Sequence, residues 1–398
     1  MRISLEQALE LLSRHAQPLP PVSLLLSDAL GRLLQEDVHA AITQPPFPRS
    51  PLDGYALRAE DIRSASDQTP VFLRVIGRSF AGVPADVAVG SGEAVRIMTG
   101  APIPEGADCV IRQEDTDYGE ETVRIAAPLR PYDNYCFAGE DYRQGELLVS
   151  SGSRITAGVS ALLAGAGVQQ VQVRPLPRVA IISTGSELQQ PGQPLACGKI
   201  YDANSTYLHA RLRELSVEHI TLYQAGDNTE ALRQTFSAAL ESHDLVISTG
   251  GVSVGQADLV PPVLDALGAE KHFHGVDIKP GMPAAFFTVH GKSVLALSGN
   301  PFACVVTFEL LGRPLLSALS GDRGLLPPVE SAALKDAHEK GRPVRRFCSG
   351  HLENGTVSIP PLQQNGQTRM LAGSNCLVEL PAGSTPLAAG TSLRIFRL

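Results

Sequence analysis

Residues 244–258 read Asp-Leu-Val-Ile-Ser-Thr-Gly-Gly-Val-Ser-Val-Gly-Gln-Ala-Asp. The run Leu245-Val246-Ile247 is short, apolar and mostly β-branched, as a buried strand is. Ser248 to Gly255 then supplies three glycines and three hydroxyls with no charge. After Asp258 a helix is expected over Leu259–Leu267, with Pro261-Pro262 near its start. A strand that runs into a Gly/Ser/Thr loop and then a helix is where α/β proteins commonly bind phosphate. The loop backbone can approach an anion closely there, and unpaired amides point at it. A plain strand–helix connector would use the same residues, so the surrounding chain has to decide.

The surroundings repeat the pattern. Strands are expected at Arg178–Ser183 and His219–Tyr223, and helices at Asn204–Leu215 and Glu230–Leu240, the latter capped by Thr229. Ala284–Val289 and Ser293–Leu297 read as strands joined by a tight turn, and Asn300-Pro301 starts an apolar helix to about Leu319. This alternation over 178–320 argues for a three-layer α/β/α domain with a mainly parallel sheet.

The turns at the carboxyl ends of those strands draw on the same few residue types. They are Thr184-Gly185-Ser186-Glu187, Gly226-Asp227, Ser248-Thr249-Gly250-Gly251 with Ser253 and Gly255, and Ser298-Gly299-Asn300-Pro301. Ligands of open α/β sheets bind at that edge. Glycines and hydroxyls there offer donors to phosphate, while Glu187, Asp227 and Asp258 offer hard oxygens to Mg2+. Lys279-Pro280-Gly281-Met282-Pro283 adds one cation in a stiff turn. Singly, each acid reads as a cap or a solvated group; placed together in glycine turns they read as a ligand set. There is no Walker A, H-E-x-x-H or G-x-S-x-G motif, so catalysis would rest on positioning, a metal and charge neutralisation. The ten histidines show no metal spacing, and His272 and His274 read as surface or packing residues.

The flanks have a different texture. An amphipathic helix is expected over 3–14, with Ser4 and Gln7 at capping-box spacing, and a short one over Ser27–Leu34. Gln44 to Ala56 holds four prolines and leads to Asp53-Gly54, which by itself reads as a stiff segment ending in a corner. Residues 71–125 alternate like a small β module. Ile155–Gly167 reads as a helix, and its Gly165-x-Gly167 lacks the rest of a dinucleotide fingerprint. Beyond Pro327 short strands suggest a small β barrel or sandwich. At 398 residues several domains are expected. The expected division is 1–50 with 139–176 as an N-terminal linking domain, 51–138 as an inserted β module, 177–326 as the α/β domain and 327–398 as a β domain; the first helix packs on the α/β domain. A net charge of −8 and the lack of a basic run argue against nucleic-acid binding. No membrane span is expected, Glu6 interrupts any signal-peptide core, and six scattered cysteines suit reduced thiols in the cytoplasm.

With these motifs in order, the chain resembles the molybdopterin molybdenumtransferases, the MoeA and gephyrin E-domain family. The resemblance rests on Pro45-Pro46-Phe47 to Asp53-Gly54-Tyr55-Ala56, Arg96 to Pro102, Gly139-Glu140-Asp141 and Ser183-Thr184-Gly185-x-Glu187-Leu188. It continues through Ser248 to Gly255 with Asp258, Lys279-Pro280-Gly281 and Ser298 to Pro301. It implies a homodimer of four-domain subunits in which adenylylated molybdopterin and molybdate give molybdenum cofactor and AMP, assisted by Mg2+. It also implies that Asp53, Thr99 and Asp141 act with Glu187, Asp227, Asp258 and Lys279 at a subunit interface. The molybdopterin adenylyltransferase and apo-molybdoenzymes are the partners it suggests.

The chain departs from the family pattern in places. Tyr135-Cys136-Phe137-Ala138 stands where arginines usually precede Gly-Glu-Asp, and Met282 where a second lysine is usual. Ser186 and Gln256 stand where Asp is common. These losses keep two alternatives open: a pterin carrier or scaffold without turnover, and a simple nucleotide pyrophosphatase, which the flanking domains disfavour.

Overall fold

The computed structural model describes residues 2–252, 258–338, 343–361, 364–384 and 386–398. Ser253 and Gly255 of the proposed phosphate loop, and Gln256, lie outside the described residues. Two compact units emerge, one formed by Val22–Val173 and the other by residues 1–21 with Arg174–Leu398. Helix α1 (Leu5–His15) opens the chain with the expected capping box, Ser4 and Gln7 each bonding the other's backbone N–H. Its buried face, Leu5, Ala8 and Leu12, joins the core of the second unit.

In the 22–173 unit, β1 (Val22–Leu25) and β2 (Leu33–Leu34) precede β3 (Val38–His39) and β4 (Gly54–Leu57). The helix expected over Ser27–Leu34 is only a 3-10 turn at Leu26–Asp28, because Gly31 takes a positive φ of 77° and the chain re-enters a sheet. Then come β5 (Val71–Ser79), β6 (Glu93–Ile97), β7 (Cys109–Arg112) and β8 (Thr122–Ile125), which with β4 form a five-stranded sheet ordered β7-β4-β6-β5-β8. Asp53-Gly54 is therefore the entry to a central strand rather than a corner. Glycine is required there, since a Cβ at Gly54 would lie 1.8 Å from the Ile111 carbonyl oxygen. Strand β9 (Leu147–Val149) pairs with β3, helix α2 (Ala157–Gly165) follows, and β10 (Gln170–Arg174) lies between β1 and β2.

The second unit holds the α/β layers. Strand β11 (Val179–Thr184) is followed by the two-residue strands β12 (Leu188–Gln189) and β13 (Ile200–Tyr201), which pair with each other. Next are α3 (Ala203–Glu214), β14 (Ile220–Ala225), α4 (Thr229–Ser242), β15 (Leu245–Thr249), α5 (Val260–Ala266) and β16 (Glu270–His274). The hairpin β17 (Ala285–Val289) and β18 (Lys292–Leu297) completes a six-stranded sheet ordered β14-β11-β15-β18-β17-β16. The first four strands are parallel, and β17 runs antiparallel to both of its neighbours, β18 and β16. Every residue of β11 and β15 is buried, as a sheet covered on both faces requires. One face packs with α1, α3 and the helix after β18, the other with α4 and α5. The cap of α4 is Asn228, whose Oδ1 accepts from the Ala231 N–H at 2.9 Å, and not the neighbouring Thr229.

The apolar segment after β18 runs as α6 (Pro301–Thr307), a π turn (Phe308–Gly312) and α7 (Arg313–Ser320). Pro314 has no N–H for the Leu310 carbonyl and its ring crowds that group, so the helix widens just before it. By length and composition Pro301–Ser320 could cross a membrane, contrary to the expectation that no stretch reaches that length, but it lies mostly buried inside the protein. In the π turn Glu309 is fully buried. It accepts from Tyr207 Oη at 3.0 Å, Arg211 Nε at 2.7 Å and Arg313 Nη1 at 3.0 Å. Arg313 also donates to the carbonyls of Leu325 and Leu326, tying the helix to the segment that leaves it. Strands β19 (Val329–Leu334), β20 (Arg346–Glu353), β21 (Thr356–Ser358), β22 (Cys376–Leu380) and β23 (Ser392–Arg397) close into a barrel. All six cysteines are free thiols, and burial pushes Cys109 and Cys304 up to about 12.

Candidate functional site

Four adjacent parallel strands, β14, β11, β15 and β18, each end in a turn that lines one cleft of about 560 Å3. That volume suits a small-molecule ligand. Strand β11 is the first of the sheet and β15 the third, so the cleft straddles the point where strand order reverses. Thr184, Gly185, Glu187, Asp227, Thr249, Gly250, Gly251, Asp258, Ser298, Gly299, Asn300 and Pro301 all line it. The glycines are there for contact. Gly250 has φ of 94°, and a Cβ on it would lie 2.5 Å from the Thr184 carbonyl oxygen. Gly299 comes so close to Gly250 that its Cβ would meet the Gly250 Cα at 3.3 Å. Over Gly185 (φ 140°) lies the Glu187 carboxylate, 2.4 Å from where a Cβ would be.

Hydrogen bonds lock these turns to one another. Asn204, near the start of α3, donates from Nδ2 to Thr249 Oγ1 at 2.7 Å and to the Gly299 carbonyl at 2.8 Å. Thr184 Oγ1 donates to the Thr249 carbonyl, and Thr249 Oγ1 to that of Ser298. Asp202 caps α3 through the Ser205 N–H and accepts from Ser183 Oγ at 2.5 Å. Asp227 Oδ2 accepts from the Ser186 N–H at 2.9 Å, while Ser186 Oγ accepts from the Asp227 N–H. Asn204 and Asp202 were missed in the sequence reading; an Asp-x-Asn at a helix start was the available signal. Gly366, from the loop between β21 and β22, also lines the cleft, and the neighbouring Asn365 carbonyl accepts the Phe302 N–H at 3.0 Å.

Among the described residues of the second unit, four that the sequence assigns to the site are not in this lining. Ser248 is fully buried in β15, its side chain turned to the sheet face opposite Thr249, because successive strand residues alternate. Lys279 is exposed and its backbone pairs with β20, accepting from the Phe347 N–H at 2.8 Å; Pro280 and Gly281 go with it. Gly281 packs where a Cβ would strike Thr307 at 2.3 Å. No lysine or arginine is among the described residues lining the cleft, so Glu187, Asp227 and Asp258 make it strongly acidic.

In the 22–173 unit Asp53 and Thr99 meet. Asp53 Oδ1 accepts from both the Thr99 N–H and Thr99 Oγ1 at 2.7 Å. Asp141 sits on the segment that pairs with 44–49, its N–H bonded to the Gln44 carbonyl. The backbone N–H and then the hydroxyl of Thr99 hold the Asp53 carboxyl below its usual range. Its pKa is thus lower folded than unfolded, so the stability it contributes is present above the ordinary value of 3.8 and is lost as pH falls through the folded one. Thr99→Val keeps the N–H and removes the hydroxyl. We expect the Asp53 pKa to rise part of the way to its ordinary value in a carboxyl NMR titration, and an unchanged value would contradict the pairing.

Comparison with known proteins places this geometry. Residues 3–167 match the MoeA N-terminal region (domain I and II), residues 180–318 a family described as "Probable molybdopterin binding domain", and 331–397 the MoeA C-terminal region (domain IV). Among curated proteins, a molybdopterin molybdenumtransferase of Staphylococcus aureus (strain COL) is 35% identical over 398 residues, covering 99% of this chain and 95% of the relative. The chain belongs to the MoeA family. A Staphylococcus epidermidis relative of the same name is 33% identical over 98% of this chain and 94% of its own length. Two structures of the MoeA protein from Pyrococcus horikoshii superpose over 100% of this chain, and over 99% and 100% of theirs. Their TM-scores are 0.85 and 0.75 and their identities 34% and 30%. The MoeA fold thus includes the central sheet domain and the small terminal barrel as expected from sequence.

Proposed function

We propose that this chain is a molybdopterin molybdenumtransferase of molybdenum cofactor biosynthesis. It inserts molybdenum from molybdate into adenylylated molybdopterin: the pterin takes up the metal as molybdate gives up oxygen as water, and the adenylyl–phosphate bond is hydrolysed to the pterin phosphate and AMP. The observation that carries this reading is the acidic, glycine-floored cleft at the carboxyl ends of β14, β11, β15 and β18. Its glycine turns leave backbone within reach of a phosphate, and its lining carries three carboxylates and no cationic side chain among the described residues. Such a lining repels a bare phosphate, and carboxylates are the hard oxygen ligands a divalent cation takes, so Glu187, Asp227 and Asp258 are the residues that would supply them. Mg2+ bound there would neutralise charge on the departing phosphate.

The chain's own residues hold and orient the substrate. Asn204 and Thr249 fix the turns that approach it, and Ser298, Gly299 and Asn300 line the cleft beside them. The set Asp53, Thr99 and Asp141 is assigned to the same reaction, in a homodimer whose mass sedimentation would report. Lys279, on the surface turn, is assigned to neutralising molybdate or phosphate charge. The names of the curated relatives favour this enzyme over a carrier without turnover.

The test is AMP release by the purified protein from adenylylated molybdopterin, with and without molybdate and Mg2+. Release that needs both supports the reading; no release above the metal-free control sinks it. Gly250→Ala adds a prediction. Its Cβ forces the turn off the Thr184 carbonyl, and a displacement of about 1 Å is worth roughly 10²-fold in rate. We expect that loss of AMP release with an unchanged circular dichroism spectrum; a wild-type rate would remove Gly250 from the site.

A further inference from the structure

Away from the cleft, three metal-ligating side chains from distant parts of the chain converge. His15 is the last residue of α1; Glu270 and His272 lie on β16, the edge strand of the six-stranded sheet. Their ligand atoms all lie within 4.8 Å of one another. We propose that His15, Glu270 and His272 bind one late first-row transition-metal ion of the Zn2+ class, clipping the end of α1 to the sheet edge.

Two imidazoles and a carboxylate suit Zn2+ and its neighbours, whereas Mg2+ and Ca2+ prefer all-oxygen sites. His272 is already placed as a ligand. Its side chain is 3% exposed, and its Nε2 lies 2.9 Å from Thr288 Oγ1. That hydrogen bond leaves Nδ1 directed to Glu270 Oε1 at 3.9 Å. A partner on the far nitrogen that fixes the ring is the usual support of a metal-bound histidine. The register between β16 and β17 slips between Lys271 and Phe273, leaving His272 as the extra residue of a β-bulge. Bulges re-aim side chains and are common next to functional sites.

The other two ligands are adjustable. The Glu270 side chain is 73% exposed, and His15 ends a helix whose last carbonyls favour a cation. The His15 and His272 rings stack at 3.8 Å with 25° between planes. An imidazole lone pair lies in the ring plane, so His15 opens from the stack to share an ion with His272. Ligand atoms about 3.3 Å apart around a tetrahedral ion require a closure of about 1.5 Å, which side-chain rotation of His15 and Glu270 can supply. Solvent takes the remaining position. His15 lies more than 250 positions from its partners, so sequence spacing could not reveal the group.

The experiment titrates Zn2+ by calorimetry into the chelator-treated full-length protein held in excess Mg2+, which occupies the cleft carboxylates, and Cu2+ under electron paramagnetic resonance in the same buffer. Expected are one equivalent of Zn2+, a higher melting temperature with the ion, and hyperfine coupling from two imidazole nitrogens. His15→Gln and Glu270→Gln, with unchanged circular dichroism, should each weaken binding about tenfold or more. Binding that survives in both variants, which would point to the thiols or the cleft carboxylates instead, overturns the proposal, and so does the absence of a saturable equivalent.

Discussion

Glu309→Ala is expected to lower the unfolding free energy by about 3–5 kcal/mol, the usual consequence of removing one member of a buried ion-pair cluster. The carboxylate is fully buried and is shared by Tyr207, Arg211 and Arg313, with side-chain exposures of 13% and 5% for the two arginines. Without it the buried Arg313 loses the carboxylate it pairs with, and Arg211 is left with the exposed Glu214 at 2.7 Å. Arg313 would keep its carbonyl partners at Leu325 and Leu326, so the damage should fall on the contact between α3 and the long helix. Urea unfolding followed by far-ultraviolet circular dichroism is the measurement. Glu309→Gln, which keeps the shape and one acceptor, should lose less than the alanine variant. A change below about 1 kcal/mol for alanine would show that the cluster is worth no more than an exposed pair.

Asp227→Ala should reduce AMP release on the order of 10²-fold or more, since it removes one of three carboxylates from the cleft and the acceptor that fixes the Ser186 turn. Asp227→Asn separates those two contributions. It can still accept from the Ser186 N–H and hold the turn, but it carries no charge. If charge at this position matters to the reaction, Asn should be nearly as impaired as Ala, and its dependence on Mg2+ concentration should shift upward. If Asn works at the wild-type rate, Asp227 only shapes the turn and its assignment to the metal falls. Neither variant should unfold the protein, because Asp227 lies in an exposed loop beyond β14.

The sheet could be read from sequence because β11 and β15 are apolar runs rich in β-branched residues, and β11, β15 and β18 each lead into a hydroxyl and a glycine. Gly185, Gly250 and Gly299 stand out in that pattern since only glycine permits the turns to touch. Other features depend on distance along the chain or on direction in space. Asn204 reaches Thr249 and Gly299 from a helix 45 and 95 positions away, with no local mark beyond its type. Ser248 belongs to the same hydroxyl-rich run as Thr249, yet strand alternation turns it the other way. Lys279 reads as a site cation in its stiff turn, but the backbone pairing with β20 that holds the turn is a tertiary fact. Glu309 and Arg313 stand four apart as the charges of an otherwise apolar helix; that Arg211 joins them depends on how α3 packs against that helix.

The loop carrying Asn365 and Gly366 gives the terminal barrel a role other than that of an appendage. It reaches back to the first turn of the long helix and forms part of the cleft wall. The barrel is therefore not modular with respect to the cleft. A chain cut after the α/β domain would lose a boundary of its binding cavity along with the barrel.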